Sequence, residues 1–484
     1  LLSDDGAIFI SIDDNEVDSM LKVANDVFGE DNFINVITVK TKIGGVSGSS
    51  EGKSLKDATE FIGVYAKNKT RFQLNPVYLR TKLFTRIKSY EIEGKSWKYT
   101  SVMSKLEDKV LIKEDAEHGM KYYGYKTLET MSISAFAQSM GITEEEVYNR
   151  YADRIFQTTN AQSSVRQTVM RETKGLDYPM IGLEYVPIKG KNEGKTIEVL
   201  YKGEQRRMMM FLSDAVEKVD DEFVYLDKVT TLWDDIQYNN LTKEGSIEFP
   251  NGKKPIKLLQ RIIEMASDDD SIILDFFSGS ASTAHAVMQT NAEKGSHRKF
   301  IMVQIPEETG DGSDFRKAGF STICDIGKER IRRSSAQISD ELGIMSQGLD
   351  MGFRVFKLDD GNMNDVYYSA GEYRQDMLSL LESNVKSDRS DLDLLFGCLL
   401  EWGLPLSMPY TSEQIEGCTV HTYNDGDLIA CFDENIPDAV VKEIAKRQPL
   451  RAVFRDSSFN GSPAKINVGE IFKMLAPDTR VKVI

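Results

Sequence analysis

The stretch Ser271-Ile272-Ile273-Leu274-Asp275-Phe276-Phe277-Ser278-Gly279-Ser280-Ala281-Ser282-Thr283-Ala284-His285-Ala286-Val287 carries the most information about this chain. A β-branched run ends in an aspartate and passes through a small-residue loop into a helical stretch. In open α/β sheets ligands bind at such turns, outside the carboxyl ends of the strands. Small residues let the backbone come close to a ligand, and Ser282 or Thr283 is expected to cap the helix whose N-terminus faces it. No Gly-Lys-Ser/Thr follows, so this is not a phosphate cradle of that type. One glycine stands where the dinucleotide fingerprint needs three. By pattern alone the segment reads equally well as bare scaffold.

Outward from the loop, Lys299-Phe300-Ile301-Met302-Val303 predicts the next strand, followed by Gln304 and Glu307, polar groups placed where a ribose edge is bound in nucleotide-binding sheets. Helices are predicted over Pro255 to Met265, from Thr283, and around Phe320 to Ile338. Ala7 to Ile12, Phe33 to Val39 and Phe61 to Ala66 read as strands. Val17, Met20, Leu21 and Ala24 fall at helical spacing after Asp13-Asp14-Asn15-Glu16, and residues 44–50 form a Gly/Ser segment.

Between Thr70 and Val229 the periodicities break up into short predicted strands, with one helical piece from Ile133 to Tyr151. This region reads as an inserted domain, and beyond Phe353 a separate α+β domain is predicted. The expected divisions are 1–74, 75–229, 230–350 and 351–484, in a chain whose 484 residues suggest about three domains.

With 40% hydrophobic and 28% charged residues, the composition is that of a folded globular protein. No apolar run approaches the ~20 residues of a membrane span, so no membrane partner is expected. Cys324, Cys398, Cys418 and Cys431 are scattered without a CxxC pair, as are the four histidines; a reducing cytoplasm is expected and no metal site. Net charge is −16, yet Lys67 to Lys98 holds nine basic and two acidic residues, while Asp376 to Asp438 holds thirteen acidic and two basic ones. Phosphate could face the first segment and not the second.

Asp275-Phe276-Phe277-Ser278-Gly279-Ser280, continued by Thr283-Ala284-His285-Ala286, resembles the cofactor motif of the S-adenosylmethionine-dependent DNA amino-methyltransferases, usually written DFFAGSGTTAHA. More narrowly it resembles that of the modification (Mod) subunits of type III restriction–modification systems. Ala281 departs from the motif's second glycine. Phe249 to Pro255 is similar to the segment that closes over the cofactor's methionine part, Leu2 to Glu16 and Glu60 to Asn68 to later parts of the sheet, and Glu401 to Pro405, Ala430 to Asn435 and Phe454 to Phe459 to the tail domain. The resemblance implies a Rossmann-like methyltransferase sheet. It also implies S-adenosylmethionine held by Asn251, Lys254, Pro255, Asp275, Phe276, Phe277, Ser278, Gly279, Ser280, Ser282, Gln304 and Glu307, and methyl transfer to adenine N6.

The family positions its flipped target base with an Asp-Pro-Pro-Tyr loop. This sequence has no Pro-Pro dipeptide; Asn75-Pro76-Val77-Tyr78 replaces the second proline and is expected to be an ordinary turn. In this permuted (beta) class the loop precedes the Leu2–Glu16 segment, so the catalytic residues are expected upstream of Leu1. The opening at Leu1-Leu2 without methionine fits the same expectation.

The resemblance places a target-recognition domain at about 75–229, with double-stranded DNA expected against Lys82, Arg86, Lys88, Gln162, Arg166, Lys189, Lys191, Lys195, Arg206 and Arg207. Asn160 to Gln167 carries residue types that read base edges or phosphates. It further implies a restriction (Res) subunit as partner and a Mod homodimer, with the acidic tail assigned to subunit contacts. His285, Trp233 and Met208 to Phe211 read as packing residues. Other readings are a recognition or assembly remnant without catalysis, a cytosine target, and a nucleotide-cofactor oxidoreductase, the last disfavoured by the single-glycine loop.

Overall fold

A computed structural model describes residues 1–42, 57–188, 192–220, 222–238, 241, 244, 254–364, 385–459 and 461–484. The Gly/Ser segment and the expected site residues Lys189, Lys191 and Asn251 lie outside them. The chain forms two compact units, Leu1–Met351 and Gly352–Ile484. Helices and strands are mixed throughout.

In the first unit a four-stranded sheet runs in the order Ala7–Ile12, Thr59–Ala66, Phe33–Lys40, Leu232–Trp233, the last pair parallel and the others antiparallel. Helix Val17–Phe28 lays Met20 and Ala24 against Tyr65 on one face. The other face packs Ile37, Val39, Ile62 and Val64 against Trp233 and Leu258. Strands covered on both faces read as continuous apolar runs rather than alternating ones, which is why they were legible. Gly63 admits the helix: a Cβ there would stand 2.7 Å from the Met20 methyl carbon. Trp233 is fully buried, its indole N–H donating to Thr230 O at 2.8 Å, with the Arg261 guanidinium stacked over its ring. Arg261 also forms a bidentate pair with Asp235 at 2.9 and 2.5 Å.

Strands Ile272–Asp275 and Lys299–Met302 pair in parallel. Ile273 and Phe300 pack with Ile256, Ile263, Ala286 and Val287 from helices Ile256–Ala266 and Ser282–Lys294. The opposite face presents Ile272, Leu274 and Ile301 to solvent.

Where the sequence predicts short strands, a closed six-stranded barrel forms from Arg207–Phe211, Ile155–Thr159, Ser101–Asp115, Met120–Ser132, Met180–Tyr185 and Ile197–Lys202. Its central hairpin has strands of 15 and 13 residues. The pairing shifts register between Met103 and Lys105 and between Leu111 and Lys113. Each bulge moves following side chains to the other face and destroys the period-two signal. The helical piece expected around Ile133 to Tyr151 consists of two helices, Ile133–Met140 and Glu144–Arg150. Gly141, left-handed at φ 67°, ends the first, and Thr143 starts the second through a reciprocal capping box with Glu146.

The second unit is a five-stranded sheet ordered Tyr410–Ile415, Cys418–Tyr423, Leu428–Cys431, Arg451–Phe454, Arg480–Val483. Helix Asp391–Glu401 packs Leu394, Leu395 and Leu399 with Ala430 and Val453. Val440, Ile444, Val468 and Phe472, from helices Asp438–Lys446 and Ser462–Leu475, pack with Val420, Ile429 and Ala452. No helix among the described residues is long and apolar enough to cross a membrane.

Candidate functional site

The loop after strand Ile272–Asp275 is held by its own polar groups. The Asp275 carboxylate accepts from Thr283 Oγ1 at 2.6 Å and from Phe277 N at 3.3 Å. Gly279 N donates to Gln304 Oε1 at 2.8 Å, and Ser278 N to Val303 O at 3.2 Å, so the loop is tied to the end of the neighbouring strand. Gly279 and Ala281 are both left-handed, at φ 50° and 58°. Open space surrounds the missing Cβ of Gly279. Phe276 and Phe277 project outward, their ring centroids 5.1 Å apart, while Ser278, Ser280 and Ser282 are buried.

One expectation needs correcting. Ala281, not a hydroxyl residue, occupies the N-cap of helix Ser282–Lys294, and no side chain caps it. Thr283 is drawn back to Asp275 instead, so the first amides of a 13-residue helix keep their donors for another acceptor. Gln304 spends its carboxamide oxygen on Gly279, which makes it a support of the loop. Glu307 is exposed, its backbone carbonyl accepting from Ile323 N at 3.0 Å.

Helix Ile323–Leu342 underlies the loop, and sequence reasoning overlooked its contribution. A Cβ on Gly327 would lie 3.4 Å from Gly279 O and 3.5 Å from the Ala281 methyl. One turn on, Arg330 is fully buried and donates from Nη1 to Ser280 Oγ at 3.2 Å. Burial pushes its guanidinium down to about 10, with the Glu244 carboxylate opposing the shift. Its Nε and Nη2 have no hydrogen-bond partner among the described residues. The available signal was position: Arg330 shares the apolar face with Ile326, Gly327, Ile331, Ser334 and Ile338.

Thr322 and Asp325 begin that helix with a capping box. Bonds from Lys328 and Thr322 pull the Asp325 carboxyl from 3.8 down to about 2 against burial. A depressed folded-state pKa stabilises the fold above the unfolded value, and that stability is lost as pH falls through the folded one. Asp325→Asn is therefore expected to lower the melting temperature at pH 6 and to shrink the wild-type–variant difference between pH 4 and pH 2. An unchanged difference across that window would refute the assignment.

Lys254 binds Glu60 of strand Thr59–Ala66 at 2.5 Å, and Pro255 is buried at the start of helix Ile256–Ala266, whose first amide donates to Glu244 at 3.2 Å. Asn75 closes the far end of that helix: its N donates to Met265 O, and Nδ2 to Glu264 O and Ser267 O.

The expected DNA contacts separate sharply by environment. Arg166 and Arg206 are buried, with exposures of 8% and 4%, and serve the barrel's own backbone. Arg166 donates to Arg206 O, Gln205 O and Ala161 O. Arg206 donates to Thr173 Oγ1 and O and to the carbonyls of Tyr178, Gly203 and Leu176. The Arg206 guanidinium is not open to phosphate, which corrects that expectation; Arg166 borders a surface cleft but spends its donors on three carbonyls. The basic run at Lys67 to Lys98 is largely matched by acids: folding brings Asp4 to Lys67 and Arg71, Glu217 to Arg80, Glu222 to Lys82 and Asp227 to Arg86, while Lys95 meets Glu93 within the run. Lys88, Gln162, Lys195 and Arg207 are exposed.

Folding also brings together Cys418, Cys431 and Asp433, whose ligand atoms lie within 4.8 Å of one another, although their spacing suggested no cluster. Both cysteines belong to an apolar core, and burial raises both thiols, Cys431 to about 12.

A strand, an aspartate-anchored loop and an uncapped helix start form the kind of turn at which open α/β sheets bind ligands. Residues 1–332 match the N6/N4 methyltransferase family model described as DNA methylase, and the chain belongs to that family. Among individual relatives it is similar to a probable type III restriction–modification enzyme HindVI Mod subunit of Haemophilus influenzae, 49% identical over 294 residues, covering 60% of this chain and 39% of that one. It is 29% identical over 370 residues to the type III EcoP15I Mod subunit of Escherichia coli, covering 74% and 50%. The type II methyltransferase M.KpnI of Klebsiella pneumoniae is 24% identical over 350 residues, covering 70% and 72%. The chain thus spans half or less of the length of each of these Mod subunits.

Proposed function

We propose that this chain is part of a type III modification subunit that transfers a methyl group from S-adenosylmethionine to adenine N6 in double-stranded DNA. The carrying observation is the Asp275–Ser282 loop, fixed by Thr283 and Gln304, with its helix amides uncapped. These residues fit the cofactor. The open space at Gly279 admits its backbone-facing edge, the exposed Phe276 and Phe277 rings offer faces for an adenine, and the free amides can donate to its carboxylate.

When bound, S-adenosylmethionine supplies a methyl group already activated by a sulfonium, so the protein's contribution is position. Asp275 holds the loop and Glu307, exposed beyond the next strand, takes the ribose edge, with Asn251, Lys254 and Pro255 closing the methionine side. No Asp-Pro-Pro-Tyr stands in this sequence, and the orientation of the target base is assigned to none of its residues. In this reading the four-stranded sheet and the pair Ile272–Asp275 and Lys299–Met302 belong to one Rossmann-like layout, interrupted by a recognition domain at 75–229 and followed by a tail domain from 351. Lys88, Lys195 and Arg207 take DNA phosphates. A Res subunit and a second Mod copy are the proposed partners, in the cytoplasm.

Calorimetry with S-adenosylmethionine and transfer of a labelled methyl group to duplex DNA test this reading. Cofactor binding is the expected result, with nucleoside analysis placing any transferred label on adenine N6. An absence of cofactor binding would overturn the methyltransferase reading, and label on cytosine would move the target.

A further inference from the structure

Two clefts open beside one end of the barrel, of about 600 and 660 Å³, and they share Gln205. The first is rich in carboxamides: Asn160, Gln162, Gln167 and Gln205 line it. They come from three separate segments, the loop before helix Ser164–Glu172, the helix itself, and the turn between strands Ile197–Lys202 and Arg207–Phe211. All four are exposed, and among the described residues none of their side chains bonds to the protein. The second cleft adds cations, Lys98, Lys202 and Arg207, with Glu204 on its rim.

Resting on the DNA-modifying reading above, we propose that the carboxamide cleft is the base-reading surface of this chain, with Gln167 and Gln205 taking adenine edges in the major groove. A carboxamide pairs its N–H and its oxygen with adenine N7 and N6 at once, a match that neither phosphate nor an apolar ligand offers. Phosphate contacts fall to Arg207 and Lys98 alongside.

Arg166 is the positioning residue. Its buried guanidinium bridges the two loops that carry the amides, donating to Gln205 O at 2.7 Å, Arg206 O at 2.9 Å and Ala161 O at 3.5 Å. Ser163 caps the same helix by accepting from Arg166 N at 3.1 Å. Arg206, held left-handed at φ 45°, donates back to Gly203 O at 2.9 Å and closes the Gln205 turn from beneath. The three backbone segments that carry the amides thus keep a fixed spacing before a base arrives, and the unbonded carboxamides keep their donors and acceptors for it.

The test is selection from a pool of randomised short duplexes, followed by sequencing, with wild type, Gln167→Ala, Gln205→Ala, Arg207→Ala and Arg166→Lys, each checked for folding by circular dichroism. Wild type is expected to select A·T pairs at defined positions. Each glutamine variant should lose about tenfold discrimination at one position and keep it elsewhere. Arg207→Ala should weaken binding to all sequences evenly and reduce the salt slope by about one. Arg166→Lys should blur every position read by the cleft, because an ammonium cannot bridge three carbonyls. Wild-type preference left intact in both glutamine variants would overturn the inference while leaving the DNA reading standing, as would binding without preference. Failure of wild type to bind any duplex would overturn both.

Discussion

Asp275→Ala is expected to weaken S-adenosylmethionine binding about 100-fold, measured by calorimetry against wild type. The carboxylate makes two charge-assisted bonds, to Thr283 Oγ1 and Phe277 N, that hold the loop against the strand end. Bonds to charged groups contribute about 1.5–3 kcal/mol each, so losing both removes at least 3 kcal/mol of loop organisation. Binding must then order a loop that was ordered beforehand, and about 3 kcal/mol corresponds to roughly two decades in Kd. Asp275→Asn should fall between, since an amide retains one acceptor. Fold loss is not expected, because Asp275 lies at the end of its strand and outside the apolar cluster of Ile256, Ile273 and Phe300. Equal affinity of Asp275→Ala and wild type would remove this loop as the cofactor site.

Arg206→Ala is expected to destabilise the barrel by about 3–5 kcal/mol, seen as a melting transition lowered on the order of 10 °C. Five donated bonds disappear; the carbonyls of Leu176 and Tyr178 lose the guanidinium, while Thr173 O and Gly203 O keep only their backbone donors, Leu176 N and Arg206 N. Buried acceptors left unsatisfied cost about 1–3 kcal/mol each, partly relieved by local rearrangement. Arg206→Lys should not restore stability, since an ammonium cannot follow a planar fork into four carbonyls. Arg207→Ala, one residue away and exposed, should change stability by no more than about 0.5 kcal/mol. Equal melting of Arg206→Ala and Arg207→Ala would contradict the structural role.

The adjacent pair Arg206 and Arg207 marks the limit of charge reading in this chain. In sequence both are basic residues in a loop, fit for phosphate. Only the turn at Gly203, with Arg206 at φ 45°, sends one guanidinium inward and leaves the other outside. The Lys67 to Lys98 run behaves similarly, because its acidic partners Asp4, Glu217, Glu222 and Asp227 lie far along the chain.

The sequence by itself determined the strands with continuous apolar runs, Ala7–Ile12, Thr59–Ala66 and Ile272–Asp275, and the loop that follows the last. These are local properties: the burial of Ala7–Ile12 and Thr59–Ala66 writes itself into neighbouring residues, and Ile272–Asp275, which keeps one face in solvent, is legible because the motif it opens is contiguous. The tertiary structure alone decided the closed barrel, whose bulges erase alternation, and the support of the loop by Gln304, Gly327 and Arg330. It alone also paired the basic run with acids and gathered four carboxamides from three segments into one cleft. Each depends on which distant residue becomes a neighbour. Hydrogen bonding and charge compensation act over a few ångströms of space, and no spacing along the chain records that proximity.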